Sequence, residues 1–401
     1  MPASTSKGIF RYLEETVPGV IETGGPQIYR VTGGTLAQTT ESTADNELRA
    51  DRGKGDSTLT SGSVGGPLNI NLSHKTHDDF LQALLANTYD EVDTNGVITV
   101  VDMAFDTGTD IISSATSALP LLEKGQFFQI PDANNALNIG IYKASSSVAP
   151  TVDAIEVDTA VKEVGATDTA QSTTLSSSRL KQSNGTLPTF TIERELEDVS
   201  QFFTWAGVYV SSLNLGYTIG DKVAGNFGFM AQESEAQGTA TDFAGIGSEV
   251  AATTTPYFNS VTNTFVLIDG VDLGESCAES FTLDINANLR ERRCIGGGLS
   301  ASSIGEDQFT ITGSANLYFG STGSAAIYNK KLTDLPITFA MLVTDSEGNG
   351  FAVSIPRGKI TAADVDGGSL NSDVMMSLAF DAVTDPDFGT MVIIDRLGTV
   401  A

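Results

Sequence analysis

Short runs in which every second residue is apolar constrain this chain more than any other feature. In PLNINLS, Leu68, Ile70 and Leu72 point one way and Asn69 and Asn71 the other, the period of a strand with one buried face. The same spacing recurs at residues 208–217, 224–230, 309–319, 337–343 and 376–380. Gly (41 residues) and frequent Ser, Thr, Asp and Asn supply the turns between them. An all-β chain is therefore expected. One segment departs from the pattern: in HKTHDDFLQALLANTY, Phe80, Leu81, Leu84 and Leu85 have helical spacing. Asp78 and Asp79 sit where a first turn favours negative charge. This short helix is expected to cover the open side of the preceding sheet.

The pattern then recurs. Ala315, Leu317 and Phe319 repeat Leu68, Ile70 and Leu72, and Ile327 and Leu332 follow at the distances of Phe80 and Leu85. Upstream, NELRADR (46–52) is echoed by NLRERR (288–293), matching Leu48 with Leu289, Arg49 with Arg290 and Arg52 with Arg293. The reading is one β-sandwich-plus-helix unit used twice, with chance likeness between two acidic β domains as its competitor. The expected division is a first unit at 1–97 including an N-terminal arm, its remainder at 185–232, a linker at 233–264 and a second unit at 265–401. Residues 98–184 have no counterpart in the second half and are long enough for a small inserted β domain outside the repeated body.

Fifty acidic residues face 22 basic ones, a formal net charge of -28. Such a charge opposes adhesion to nucleic acid and to anionic membranes and keeps an abundant subunit soluble. A host that makes all its surfaces acidic would produce the same excess. No run reaches the ~18 apolar residues of a membrane span, and MPASTSKGIF lacks the pattern of a secretion signal, so the protein is expected to be made and kept in a cytosol. Cys277 and Cys294 have no His or Cys neighbours to complete a metal set and read as ordinary packing or strand residues. No Lys or Arg occurs from Val223 to Leu289. The acids there are expected to face water or the basic groups of a neighbouring subunit.

Nothing in the chain assembles an active site. His74 and His77 have a spacing that a metal can use but read as solvent-facing residues at a strand-to-helix junction. There is no phosphate loop, nucleophile elbow or thiol-histidine pairing, and close carboxylates such as Asp385 and Asp387 carry no signal among so many acids. No cofactor or metal is expected. Trp205 reads as packing in a core or a subunit interface, because no basic groove accompanies it. Arg49, Arg52, Arg290, Arg292 and Arg293 lie among acids in a chain poor in positive charge. They form either local surface salt bridges or guanidinium contacts to the next subunit. The N-terminal arm with Arg11 reads as a segment that reaches across a neighbour.

Segments across most of the chain carry a resemblance. VTGGTLAQTTES, NELRADRGKGD, GGPLNINLS and DDFLQALL come first, then NGTLPTFTIERELEDVSQFFTWAGVYVSSLNLGY, FTLDINANLRERRCIGG and VMMSLAFDAVTDPDFGTMVIIDR. In order and wording this series is similar to the tube proteins of siphophages, the tailed phages with long non-contractile tails. The resemblance implies duplicated tail-tube β-sandwich or barrel units, each with a flanking helix, in rings stacked around a lumen. Six single-domain subunits close a ring in that family. A duplicated chain implies three with pseudo-sixfold symmetry, six remaining open. The implied partners are copies of itself, the tape measure protein in the lumen before ejection, the tail terminator and distal tail proteins, and phage DNA in transit without sequence-specific binding. The implied location is the virion tail, assembled in the host cytoplasm, with no membrane partner. Asn69, Asn71, Ser211, Asn316 and Ser377 are the implied lumen-side strand residues. A terminator or completion ring protein and a virion adhesive protein are the alternatives.

Overall fold

The computed structural model describes residues 4, 7–22, 24–45, 50–51, 53, 55–234, 237–243, 245–261, 265–272, 277–296, 298–320, 323–368, 370 and 372–398. Chain order begins with β1 (Gly8–Glu15), β2 (Gln27–Tyr29), β3 (Gly33–Gly34), β4 (Ala37–Ala44) and β5 (Ser57–Asn71), then helix α1 (Asp78–Leu85) and β6 (Asp90–Glu91). A separate sheet follows, of β7 (Val97–Asp106), β8 (Ile111–Ser114), β9 (Phe127–Ile130), β10 (Gly140–Lys143), β11 (Ala154–Glu156) and β12 (Asp168–Ser176). The chain returns through β13 (Ser178–Lys181), β14 (Thr189–Leu196), β15 (Gln201–Thr218) and β16 (Ala224–Ser234). Next come β17 (Phe265–Ile268), β18 (Val271–Asp272), β19 (Ala278–Asn286), β20 (Arg290–Arg292), β21 (Ser303–Gly305) and β22 (Thr310–Tyr318). Helix α2 (Gly323–Leu332), β23 (Ile337–Thr344), β24 (Gly350–Val365), β25 (Met375–Ala382) and β26 (Ile393–Leu397) complete the order. The alternating runs of the sequence all fall on strands, and the Phe80 segment is a helix.

Two stretches of chain follow the same path. The first pairs in the order β2-β1-β14-β15-β16-β5-β4, the second in the order β18-β17-β23-β24-β25-β22-β19. Their irregularities coincide as well. The ladder slips between Val210 and Ser212 on β15 and between Ile360 and Ala362 on β24. Phe190 and Ile192 opposite Val208 and Trp205 reappear as Ile337 and Phe339 opposite Gly358 and Ile355. A bulge sets the bend and twist of its strand, so shared bulges mean shared curvature.

The pairs Ala37 with Gly65 and Thr43 with Thr58 become Asp284 with Thr312 and Arg290 with Gly305, each 247 positions on. The sequence match of Leu68 with Ala315 and Ile70 with Leu317 has this same offset. The expected match of Arg49 with Arg290 does not: Arg290 stands in the place of Thr43. Leu48, Arg49 and Arg52 themselves lie outside the described residues. Arg-rich wording in turns misled the alignment because turns carry no periodicity to fix a register.

The paths meet edge to middle. Strand β19 pairs along the second half of β15, from Ser212 opposite Asn286 to Thr218 opposite Ser280. This joint makes β4, β5, β16, β15, β19, β22, β25 and β24 one antiparallel sheet bent as a half-barrel. Its apolar face lies against α1 and the opposing layer. Phe80 of α1 is the hub, with ring centroids 4.6 Å from Tyr12, 4.8 Å from Tyr29, 5.0 Å from Phe190 and 5.2 Å from Phe229. Ala86 (φ 51°) turns left-handed, and the Asn87 N–H donates to the Gln82 carbonyl at 3.1 Å, which ends the helix. Ile327 of α2 is buried like Phe80, whereas Leu332 is exposed although Leu85 at its equivalent place is buried.

Residues 97–176 form a six-stranded sheet with its own core around Met103, Phe128, Tyr142 and Ile155. A bridge between Ala144 and Val157 brings β10 to β11, so the sheet curls on itself. It docks on the layer opposite the half-barrel: Phe127 and Ile141 pack with Leu267, Ala340, Leu342, Ala352 and Leu397. Strand β23 is consequently covered on both sides, with Phe339, Met341 and Val343 in the main core and Ala340 and Leu342 facing the six-stranded sheet. That explains its near-continuous apolar wording.

The stretch expected as a linker, 233–264, is docked where it is described. Phe243 and Phe258 are buried and Val250 bridges to Gln27. Two acids of the base-free stretch, expected to face water or a neighbour, pair within the chain instead: Glu249 with Arg11 and Asp269 with Lys330 at 2.6 Å. Cys277 and Cys294 are both exposed free thiols, not packing residues. Trp205 is in the core.

Candidate functional site

Alternation leaves the half-barrel with one polar face. A row of opposed residues runs across it from Asn69 through Asn226, Asn214, Asp284 and Thr312 to Asp381. Beside it, Ser280, Asn316, Ser377 and Asp364 form a second row. Short polar side chains bond across the strands: Thr282 with Ser314 at 2.7 Å, and Asn316 with Ser280 and Ser377 at 3.2 Å each. Asp284, Asp364 and Asp381 are exposed. Lys359 lies opposite Asp381 at the end of the first row and is held by Asp334 at 3.0 Å. The face is thus a polar lattice whose net charge is negative.

The same sheet ends in two open edges. Among the described residues strand β4 pairs with β5 alone, and both its faces are largely exposed. Strand β24 is paired by β23 only as far as Gly358 on one side, leaving 359–365 without a ladder partner there among the described residues. Unpaired strand edges seek pairing with another chain unless they are guarded. Lys331 stands at the β24 edge, donating to the Ala363 carbonyl at 3.3 Å with Asp364 at 3.5 Å.

A family model described as phage tail tube protein matches residues 5–382. The chain belongs to this family. No curated protein matches it. The phage tail tube protein is a structural component of the virion tail and not an enzyme, and the family's role in a tube entails self-association. That agrees with a site made of a face and two edges rather than a pocket with convergent reactive groups. Among the described residues no cluster of His, Cys, Asp and Glu is arranged to hold a metal.

Within this tail tube protein the candidate residues separate. Asn69, Asn316 and Ser377 stand exposed on the polar face, and Asn71 is half-buried at its border. Ser211 is the extra residue of the β15 bulge, so Ser212 and Asn214 take the ladder positions expected of it. Arg290 and Arg292 are exposed on β20 with no ion pair among the described residues. Arg293 pairs with Glu291 and reaches the Gly62 carbonyl. Arg11 is corrected: it is buried in its own chain, pairing with Glu195 at 2.6 Å and with Glu249. The arm does not reach away either, since β1 lies along β14 with Phe10 and Tyr12 in the core.

The histidines are also corrected, being buried rather than solvent-facing. His77 joins the Tyr29 hydroxyl at 2.9 Å through Nδ1 and the Asn71 carbonyl at 3.1 Å through Nε2. Burial holds its pKa down to about 4 despite the Asn71 bond. At His74, burial first and then Arg396 and Lys75 hold the imidazole down to about 3. Both pack as neutral rings.

Proposed function

We propose that this chain is the repeating subunit of a siphophage tail tube, a duplicated tube unit of which three copies close a ring, the rings stacking around an acidic lumen that conducts DNA. The carrying observation is the double strand path with matching bulges, fused at β15–β19 into one sheet with a polar face. Each path stands for one subunit of a sixfold ring, so three chains supply pseudo-sixfold symmetry. The polar face lines the lumen. Asp284, Asp364 and Asp381 repel the phosphates of passing DNA, while the Asn, Ser and Thr rows offer no fixed cation to hold it.

Residues 98–184 are an inserted domain on the tube exterior. Support comes from the docking of the six-stranded sheet on the layer opposite the polar face. Before ejection the lumen holds the tape measure protein, and the terminator and distal tail proteins bind the tube ends. Assembly takes place in the host cytoplasm. Electron microscopy of the purified protein, with the mass of one ring, tests the reading. Uniform tubes with three chains per ring are expected. Persistent monomers, or rings of six chains, would overturn it.

A further inference from the structure

The joint inside the chain is a template for the joint between chains. Strand β15 maps onto β24 at an offset of 150, since Val208, Val210 and Ser212 correspond to Gly358, Ile360 and Ala362 at the shared bulge. Strand β19 maps onto β3–β4 at 247, since Ser280 opposite Asn316 and Asp284 opposite Thr312 correspond to Gly33 opposite Asn69 and Ala37 opposite Gly65. The two open edges are thus the counterparts of the two strands that pair internally.

Exposure points to the same occupant. Phe319, Tyr328, Leu332 and Val365 line or flank the β24 edge and are between 37% and 68% exposed, whereas Leu72, Leu81, Leu85 and Leu215 at the equivalent places are 1% exposed or less. A cleft between α2 and the edge is lined by Phe319, Tyr328, Lys331, Ala363, Asp364 and Val365. Resting on the tube reading above, we propose that β24 receives β3–β4 of a second copy in the register of the internal joint. Ser212 opposite Asn286 becomes Ala362 opposite Thr39 of the neighbour, and Leu215 opposite Leu283 becomes Val365 opposite Leu36.

This joint is the weaker of the two. Inside the chain, Tyr217 and Phe281 meet with centroids 6.0 Å apart, and their counterparts at the open edges are Gly367 and Gly34. Phe281 lies opposite Ala315, but Gly34 lies opposite Leu68, whose Cδ2 would stand 2.3 Å from an added Cβ. At the open edge the place of the aromatic contact is thus left to Leu68 of the main core. The ring assembles and comes apart at the glycine joint while each chain stays whole.

Cysteine pairs read the register. Residues directly opposite on antiparallel strands fall within disulfide reach, and those two positions off do not. In a Cys277→Ser, Cys294→Ser background, Ala362→Cys with Thr39→Cys should cross-link oxidised tubes into trimers that survive denaturing gels. Ala362→Cys with Ala37→Cys or with Glu41→Cys should not. Tubes that link only in a control register, or not at all, sink the proposed pairing and leave the tube reading standing. A chain that forms no tubes sinks both. Val365→Asp, at an exposed site, should abolish rings with the monomer's melting curve unchanged; rings that persist count against the proposed pairing.

Discussion

Arg179 and Asp395 face each other across β13 and β26, and the guanidinium holds the carboxylate through two hydrogen bonds of 2.7 Å. Both side chains are buried, and the same carboxylate accepts the Phe127 N–H at 3.0 Å. One acid thus ties the C-terminal strand, the strand leaving the six-stranded sheet and that sheet itself. Bidentate geometry offsets the desolvation of two buried charges, but only while both partners remain.

Asp395→Ala should therefore lower unfolding stability by about 3–5 kcal/mol, because it leaves a buried guanidinium with Glu123 at 3.3 Å and the Lys124 carbonyl at 3.2 Å as its remaining partners among the described residues. Denaturant unfolding of the purified subunit checks this. A loss below ~1 kcal/mol would mean that water replaces the carboxylate and the site is not closed.

Phe80→Ala removes the ring on which Tyr12, Tyr29, Phe190 and Phe229 converge. The expected cost is about 3–5 kcal/mol. Ile327→Ala at the equivalent place in α2 should cost less, since α2 buries only Ser324 and Ile327. Parallel melts of the two variants give the comparison.

Acid should unfold the subunit through its histidines. Their folded pKa values, about 3 and about 4, lie below that of an exposed imidazole. The unfolded chain therefore binds more protons below pH ~6.5, and the stability each neutral ring contributes above that pH is lost as pH falls toward the folded values. At pH 4.5 each histidine should have removed about 2–3 kcal/mol, at ~1.4 kcal/mol per pKa unit. Denaturant midpoints at pH 7 and 4.5 for the native chain and His77→Gln test the sign. An unchanged pH dependence in the variant would rule His77 out as a contributor.

The polar face predicts a charge effect. Asp284→Lys with Asn316→Lys places cations in both rows, and tubes of this variant should retain duplex DNA with an affinity that falls steeply with salt. Native tubes should retain none under the same conditions. Equal retention by both would place the face away from the DNA path.

Strand identity was legible because period-two alternation survives wherever one face is wet, as at Leu68 to Leu72 and at Ala315 to Phe319. The correspondence of Leu68 with Ala315 and of Ile70 with Leu317 was legible for the same reason, and its offset of 247 is the one at which paired strands recur. Legibility ended where side chains do not alternate. The Arg-rich turns gave a false register, and the exposure of Leu332 depends on a surface that sequence spacing cannot register. His74, His77 and Arg11 read as surface groups because polarity is taken as a sign of exposure. Their burial rests on partners distant in sequence, Tyr29 for His77 and Glu195 and Glu249 for Arg11.

The six-stranded sheet departs and returns between β6 and β13, whose residues Glu91 and Ser178 are ladder neighbours, yet it rests on β17, β23 and β24 of the second path and on β26. It therefore links the two paths a second time, apart from the joint at β15–β19. One half of a chain cannot swing against the other without shearing that contact, so bending of an assembled filament would concentrate at the seams between chains, where no such link belongs to a single polypeptide.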